Sequence, residues 1–303
     1  MTNNASVTSG YSSAQLKRAK AIEKIGKIAI YTILIVYAII IILPFSIILI
    51  TSFKNSYDAS AVEWVWIPED GFTAIGYEDV FTYTGSNTAV LPTLIQSFLN
   101  TLFYVLPPTL IGLMTSSMAA YAITKLRFRA KNLIYGTLLA TMMIPGTITI
   151  APQFSIYDTI GWVDTPLPLM IPGMFGAAAC VFFMRQFFTG IPDSVIESAK
   201  LDGVGYVGIF FKIMVPLSVP ALIAQGLLGF IGGYNDYFGP LIYLQSSELY
   251  NLQVALRVFS DAFADEPNVV MAGTVSALVP TLIVYFVAQE YFIEGIAASG
   301  IKQ

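Results

Sequence analysis

The chain has 303 residues, of which 56% are hydrophobic and only 11% charged, whereas a soluble domain carries about 25% charged residues to solvate its surface. Most of its surface must therefore face lipid or other apolar helices, which excludes both a soluble enzyme and a disordered chain. With no histidine, one cysteine (Cys180) and a net charge of −4, it cannot build a disulfide framework, a Cys/His zinc site or imidazole catalysis, and it lacks the basic excess of a nucleic-acid binder.

In chain order, residues 1–27 form a basic tail carrying Lys17, Arg18, Lys20, Lys24 and Lys27. Leu16, Ala19, Ile22 and Ile25 recur at every third position, so the tail reads two ways. It is either an amphipathic helix on the membrane surface or a solvated topology determinant running into the first span. The uncharged run 28–50 exceeds the roughly 20 residues needed to cross a hydrocarbon core. It also exceeds the apolar core of a signal peptide, about 7–15 residues, and Ser52-Phe53-Lys54 follows in place of a small-x-small cleavage site. A retained signal anchor is expected.

Further spans are predicted at 97–124, 132–152, 165–184, 216–234 and 269–288, several containing Pro or Gly, which membrane helices tolerate when neighbours re-satisfy the backbone. These runs are too long, and alternate too little, for barrel strands. The expected fold is all-α and polytopic, with six transmembrane helices: a membrane domain over 28–294 between the N-terminal tail and a C-terminal tail over 295–303. Thirteen of the fifteen basic residues fall in the N-terminal tail, the loops 125–131 and 185–212, and the C-terminus. Only Lys54 and Arg257 lie on the other side. The positive-inside rule then makes both termini cytoplasmic and the long loop 51–96 external.

Nearly every ionisable residue falls outside the predicted spans, the clear exception being Asp236, beside Asn235 near the outer end of the fifth. Ion-coupled carriers bind their ion on buried ionisable groups, and one acid at a span end is thin support for that chemistry. The chain also lacks a G-x-x-x-x-G-K-[ST] phosphate loop, so the power source is expected elsewhere. Asn235 and Asp236 either line a solute path or tie two helices together; Asn100 reads likewise as a ligand or as helix–helix glue. Trp64 and Trp66 either dock an external partner or anchor their loop at the interface. Cys180 reads as packing, and Gly173, Gly176, Ala177, Ala178 and Ala179 as a close helix contact with no partner specified.

The loop 191–216 is the most informative stretch. Pro192 and Asp193 suit a helix start, Gly203 and Gly205 its end and a sharp turn, and Ile196 and Ala199 share one face. From Val204 an amphipathic run leads through Phe210 and Ile213 to Pro216. Physically this is either an amphipathic connector or a lever handle for a partner.

The spacing E-x-A-x-x-x-G-x9-I-x-x-P, filled by Glu197, Ala199, Gly203, Ile213 and Pro216, resembles the EAA loop of ABC importer permeases. Ser198 stands where that family usually has Ala. Ser52-Phe53-Lys54, Asn100, the run 121–128, Met143-Ile144-Pro145, Gly161 with Asp164-Thr165, Phe187-Phe188, and Asn235-Asp236 with Pro240-Leu241 are similar to the maltose-type second permease subunit. Tyr234 replaces a common Trp, and the end closes in Gln303 rather than Gly. The resemblance implies a prokaryotic plasma-membrane subunit of a binding-protein-dependent importer for a sugar or oligosaccharide. Its partners would be a second permease subunit, two ATP-binding cassette ATPases and an extracytoplasmic sugar-binding protein. It implies no cofactor and no ATPase site on this chain, ATP and Mg being held by the ATPases. Glu197, Ala199, Asp202, Gly203 and Pro216 would couple to an ATPase, and Gly300 and Lys302 in the tail would reach between the two ATPases. The alternatives are an importer for another solute and an ion-coupled carrier acting alone.

Overall fold

The computed structural model describes the backbone of residues 13–85 and 91–300, and the side chains of 21–85 and 91–290. The main helices are α1 (Ser13–Ser52), α2 (Ile75–Thr82), α3 (Thr93–Lys125), α4 (Lys131–Thr141), α5 (Gly146–Thr159), α6 (Leu167–Met174), α7 (Ala178–Thr189), α8 (Asp193–Leu201), α9 (Val219–Tyr234), α10 (Leu252–Ala262) and α11 (Pro267–Gly300). Among the described residues there is no strand. Four stretches are long and apolar enough to cross a membrane: Ala21–Ser52, Thr93–Lys125, Leu167–Thr189 and Pro267–Glu290. Two bent pairs bring the number to six if each is one span: Lys131–Thr141 with Gly146–Thr159, and Tyr206–Leu217 with Val219–Tyr234. The chain is an all-α polytopic membrane protein.

The bends follow from proline. The stretch 132–152 reads in the sequence as one span, but α4 and α5 meet at 96°. Pro145 has no N–H to continue the helix and keeps Ile144 out of the α region; it sits in extended conformation as the N-cap of α5. The second pair bends by 81°, one turn beyond the expected start of the span at Pro216. The Pro220 ring cannot pass the carbonyl four residues back, so the chain breaks at Ser218, whose hydroxyl donates to Met214 O at 2.7 Å. The segment before the break is the amphipathic run expected from Val204 onward, and it contains a π-helical turn at Phe210–Met214.

α1 is a single helix from Ser13 to Ser52, so the basic tail and the first span belong to one continuous helix. At the C-terminal end, α11 continues through position 295 as far as Gly300. Lys302 and Gln303 lie outside the described residues.

Backbone contact between α3 and α6 identifies the partner of the small-residue stripe. A Cβ at Gly112 would come within 2.3 Å of Gly173 O, so no residue but glycine allows the two helices this close. Thr115 Oγ1 donates to Met174 O at 2.9 Å, and Ser116 Oγ accepts from Ala177 N at 3.0 Å. These side chains satisfy backbone groups freed where α6 ends and α7 begins.

The end of the bundle that carries loop 51–96 is tied down through Ser52-Phe53-Lys54. Ser52 Oγ and Tyr77 OH share a hydrogen bond at 2.8 Å, and the Phe53 ring packs 4.9 Å from Tyr77. Lys54 is buried, donates to Val65 O at 2.6 Å and lies 4.5 Å over the Trp64 ring. Burial pulls its ammonium below the ordinary lysine value, against the opposing charge of Asp58. Trp64 therefore holds the base of its own loop, and Trp66 meets it edge-on at 4.5 Å. A cluster of Val80, Leu94, Phe230, Leu252, Phe259 and Val269 closes this end of the bundle.

Candidate functional site: the basic-end loop and the central cavity

At the opposite, basic end, α8 starts after Pro192, and Asp193 puts an anion in the first turn where the macrodipole favours it. Its apolar face is turned inward. Ile196 and Ala199 are buried in a cluster with Tyr121 of α3, Met184 and Phe188 of α7, and Ile209 and Phe210. The helix ends in a Schellman motif: Gly203 N donates to Lys200 O and Val204 N to Ala199 O, each at 3.0 Å. Gly203 adopts φ +78°, and a Cβ there would meet nothing within 4 Å. Its requirement for glycine is thus one of backbone angle and not of packing within this chain.

Glu197, Asp202 and Gly203 all lie on the exposed side of this loop, together with Leu201 (89% exposed), Val207 (70%) and Tyr206 (57%). Apolar side chains so open beside two carboxylates make a surface suited to contact. Pro216 stands apart from them, in the turn Val215–Leu217 just before the break at Ser218.

A residue with no assigned role in the sequence reading holds this loop in place. Lys125, in the last turn of α3, donates to Ile191 O and to Asp193 Oδ1, both at 2.6 Å. The hydrogen bond and charge of Lys125 hold the Asp193 carboxyl below the usual carboxylate range, with Arg127 and Lys131 adding to the effect. The sequence shows a lysine at a helix end, but not a partner 68 positions away.

Between α3, α6, α7 and α9 lies a cavity of about 720 Å³ with a mainly apolar wall. Its polar groups include Thr101, Gln225, Asp236, Tyr243 and Asn251. Asp236 borders it while its Oδ1 accepts from Gly239 N at 3.3 Å and its carbonyl from Asn251 Nδ2 at 2.7 Å. Asn235 is exposed, bonds Ile231 O at 2.9 Å and is not among the lining residues. Asn100 is not among them either. Its Nδ2 donates to Glu248 O and Tyr250 O at 2.8 and 3.1 Å, and its Oδ1 accepts from Gln96. Thr101 and Tyr104 continue this seam: Thr101 Oγ1 accepts from Leu252 N at 2.8 Å, and Tyr104 OH donates to Leu249 O at 3.0 Å. Asn100 and Asp236 thus grip the segment 248–251 from two sides, and only Asp236 reaches the cavity. Thr101, Tyr104 and Asn251 were missed by sequence reasoning. Asn251 left a signal there as an Asn preceding an amphipathic run, and it caps α10 through Val254 N at 3.1 Å.

Residues 112–297, which contain α8 and most of the cavity wall, match the family described as binding-protein-dependent transport system inner membrane component. The chain belongs to that family. The arabinooligosaccharides transport system permease protein AraQ of Bacillus subtilis is 32% identical over 205 residues, 68% of this chain and 73% of its own length. The inner membrane ABC transporter permease protein YcjP of Escherichia coli is 29% identical over 280 residues, covering 92% of this chain and 97% of its own. The crystal structure of a bacterial ABC transporter involved in the import of the acidic polysaccharide alginate contains a chain that superimposes with a TM-score of 0.75 at 26% identity, over 93% of this chain and 99% of that one. As a member of this family the protein is a permease subunit of an ABC importer.

Proposed function

We propose that this subunit forms part of the membrane path for a sugar or oligosaccharide. In this reading it works beside a second permease subunit and receives solute from an extracytoplasmic binding protein. Two ATPase subunits, which hold ATP and Mg, drive it; the chain itself carries no ATPase site. Both termini and the α8 loop face the cytoplasm. Glu197, Ala199, Asp202 and Gly203 form the contact with an ATPase, Pro216 belongs to the arm behind it, and Gly300 and Lys302 belong to a tail that reaches the ATPase pair. The observation that carries the reading is the α8 loop, buried on its Ile196/Ala199 face and open on its Glu197/Leu201 face. The assignment to sugars is supported by the arabinooligosaccharide and alginate systems to which the chain is similar. Asp236 borders the path, while Asn100 and Asn235 act on the backbone around it.

The test is ATPase activity and uptake by the reconstituted complex with a panel of sugars delivered through its binding protein. One sugar class should stimulate hydrolysis. Uptake should survive collapse of the proton and sodium gradients at constant ATP, and should stop when the ATPase phosphate-loop lysine is changed. Accumulation by the purified chain alone on an imposed gradient would refute the reading.

A further inference from the structure

A second cavity, of about 310 Å³, opens at the basic end between the ends of α3 and α7 and the start of α4. Lys125, Lys131 and Arg185 line it, with Asp193 as the one carboxylate. That carboxylate is committed to Lys125, and its side chain is 77% exposed while that of Lys125 is 6% exposed. Lys131 donates to Thr124 O at 3.0 Å, which leaves two of its three N–H groups free of that bond. Arg185 lies 4.1 Å over the Tyr135 ring. Its Nε is buried without a hydrogen-bond partner, and no ion pair among the described residues includes it. The aromatic ring therefore positions the guanidinium, and since Nε is closed to solvent, the donors it can offer a ligand in the cavity are the terminal Nη groups.

The guanidinium fork matches a phosphate through two parallel bonds, and a neighbouring ammonium adds a point charge. Basic pockets between the cytoplasmic ends of membrane helices are sites where anionic headgroups settle. We propose that this cavity binds a phosphate group, supplied by an anionic phospholipid of the cytoplasmic leaflet and held by Arg185 and Lys131. The lipid source rests on the orientation given above; the phosphate chemistry does not. Because Lys125 lines the same cavity, the bound headgroup lies against the tie that holds α8.

The experiment uses the purified complex, stripped of lipid and reconstituted in phosphatidylcholine with or without phosphatidylglycerol, with retained lipid counted by native mass spectrometry. A cation near an anionic headgroup contributes enough to change affinity about five-fold. Arg185→Gln and Lys131→Gln should each reduce phosphatidylglycerol retention by about that factor, and the double variant by roughly twenty-five-fold; Arg185→Lys should keep more than Arg185→Gln. A parallel arm in phosphatidylcholine adds inorganic phosphate and follows thermal stability. If phosphate alone protects the wild type but not Arg185→Gln, and phosphatidylglycerol adds nothing, the lipid source is overturned in favour of soluble phosphate. Equal retention of both lipids, or variants that retain phosphatidylglycerol like the wild type, overturns the site. So does loss of the ATPase subunits from the variants in lipid-free detergent with lipid retention unchanged, since the cations would then pair with a partner's carboxylate. Retention needs no transport, so absence of sugar uptake with lipid still bound would count against the importer reading alone.

Discussion

Gly203 allows strain and contact to be separated. Its φ of +78° is left-handed, and a Cβ placed there meets no atom within 4 Å. Any cost of substitution within the chain is therefore conformational, about 1–2 kcal/mol for an ordinary L-residue. Opposing it are the two bonds of the Schellman turn, about 1 kcal/mol each, and the packing of Val204 into the cluster behind α8. The turn should therefore stay largely formed in Gly203→Ala, with a penalty of about 1 kcal/mol that lowers the ratio of formed to unformed turn about five-fold and the formed population by less. Asn tolerates the left-handed region better than Ala, and a β-branched residue tolerates it least. The expected order of transport is Gly, then Asn, then Ala, then Val. Uptake of labelled sugar per unit of subunit in the membrane measures it, with membrane levels close to wild type throughout. If Ala transports better than Asn, side-chain size or polarity at a partner surface governs the position, and the strain argument is wrong.

Two other predictions concern the orientation of the chain and the carboxylate of Asp164. With Cys180 first changed to Ala, a membrane-impermeant thiol reagent should label a cysteine at Glu69 in intact spheroplasts and not one at Ala130, both exposed positions; the reverse pattern would overturn the orientation drawn from the basic residues. Asp164 accepts from Ser246 Oγ at 2.5 Å, and from Ser246 N and Gln245 N at 2.8 Å each, which in that order hold its carboxyl below the usual range. A depressed carboxyl contributes its full stability above the unfolded value near 4 and loses it as pH falls through the folded one. Asp164→Asn should therefore lower the thermal midpoint of the detergent-solubilised protein at neutral pH and flatten its fall in acid; an equally steep acid transition would refute the clamp.

The spans were legible because a run that must satisfy its backbone in lipid leaves an unbroken apolar signature. What hydropathy does not encode is direction. Pro145 was visible in the sequence, but a 96° bend between α4 and α5 depends on what packs against each arm. One such contact is Phe154 of α5 stacked on Tyr243 with rings 6.4 Å apart. α10 went unread although its pattern is present, with Leu252, Ala255 and Phe259 buried on one face after an Asn cap. Asn100 stood out as a polar residue in a span, yet its acceptors are backbone carbonyls some 150 residues away, and no residue type marks a carbonyl. The α8 loop was the most readable part because its cap is local: Ala199, Lys200, Gly203 and Val204 make the whole motif within six residues.

The loop and the central cavity are joined through α3 and α7. Ile196 and Ala199 share a buried cluster with Tyr121, Met184 and Phe188, which belong to α3 and α7. Further along the same helices, α3 meets α6 backbone to backbone at Gly112 and Gly173, both of which line the cavity. A close-packed interior does not absorb displacement gradually. Movement of α8 must therefore either carry α3, α6 and α7 with it or separate α8 from its cluster. The second course would expose Ile196, Ala199 and Phe188, at roughly 1.5–3 kcal/mol for each large apolar side chain, and would break the Lys125 tie. Compliance is available on the other side, where the π turn Phe210–Met214 and the 81° break at Ser218 join the loop to α9. The loop thus meets one wall of the cavity through the Ile196/Ala199 cluster and the Lys125 tie and the other through a bent arm, so a force applied at Glu197 and Leu201 would displace the two walls by unequal amounts.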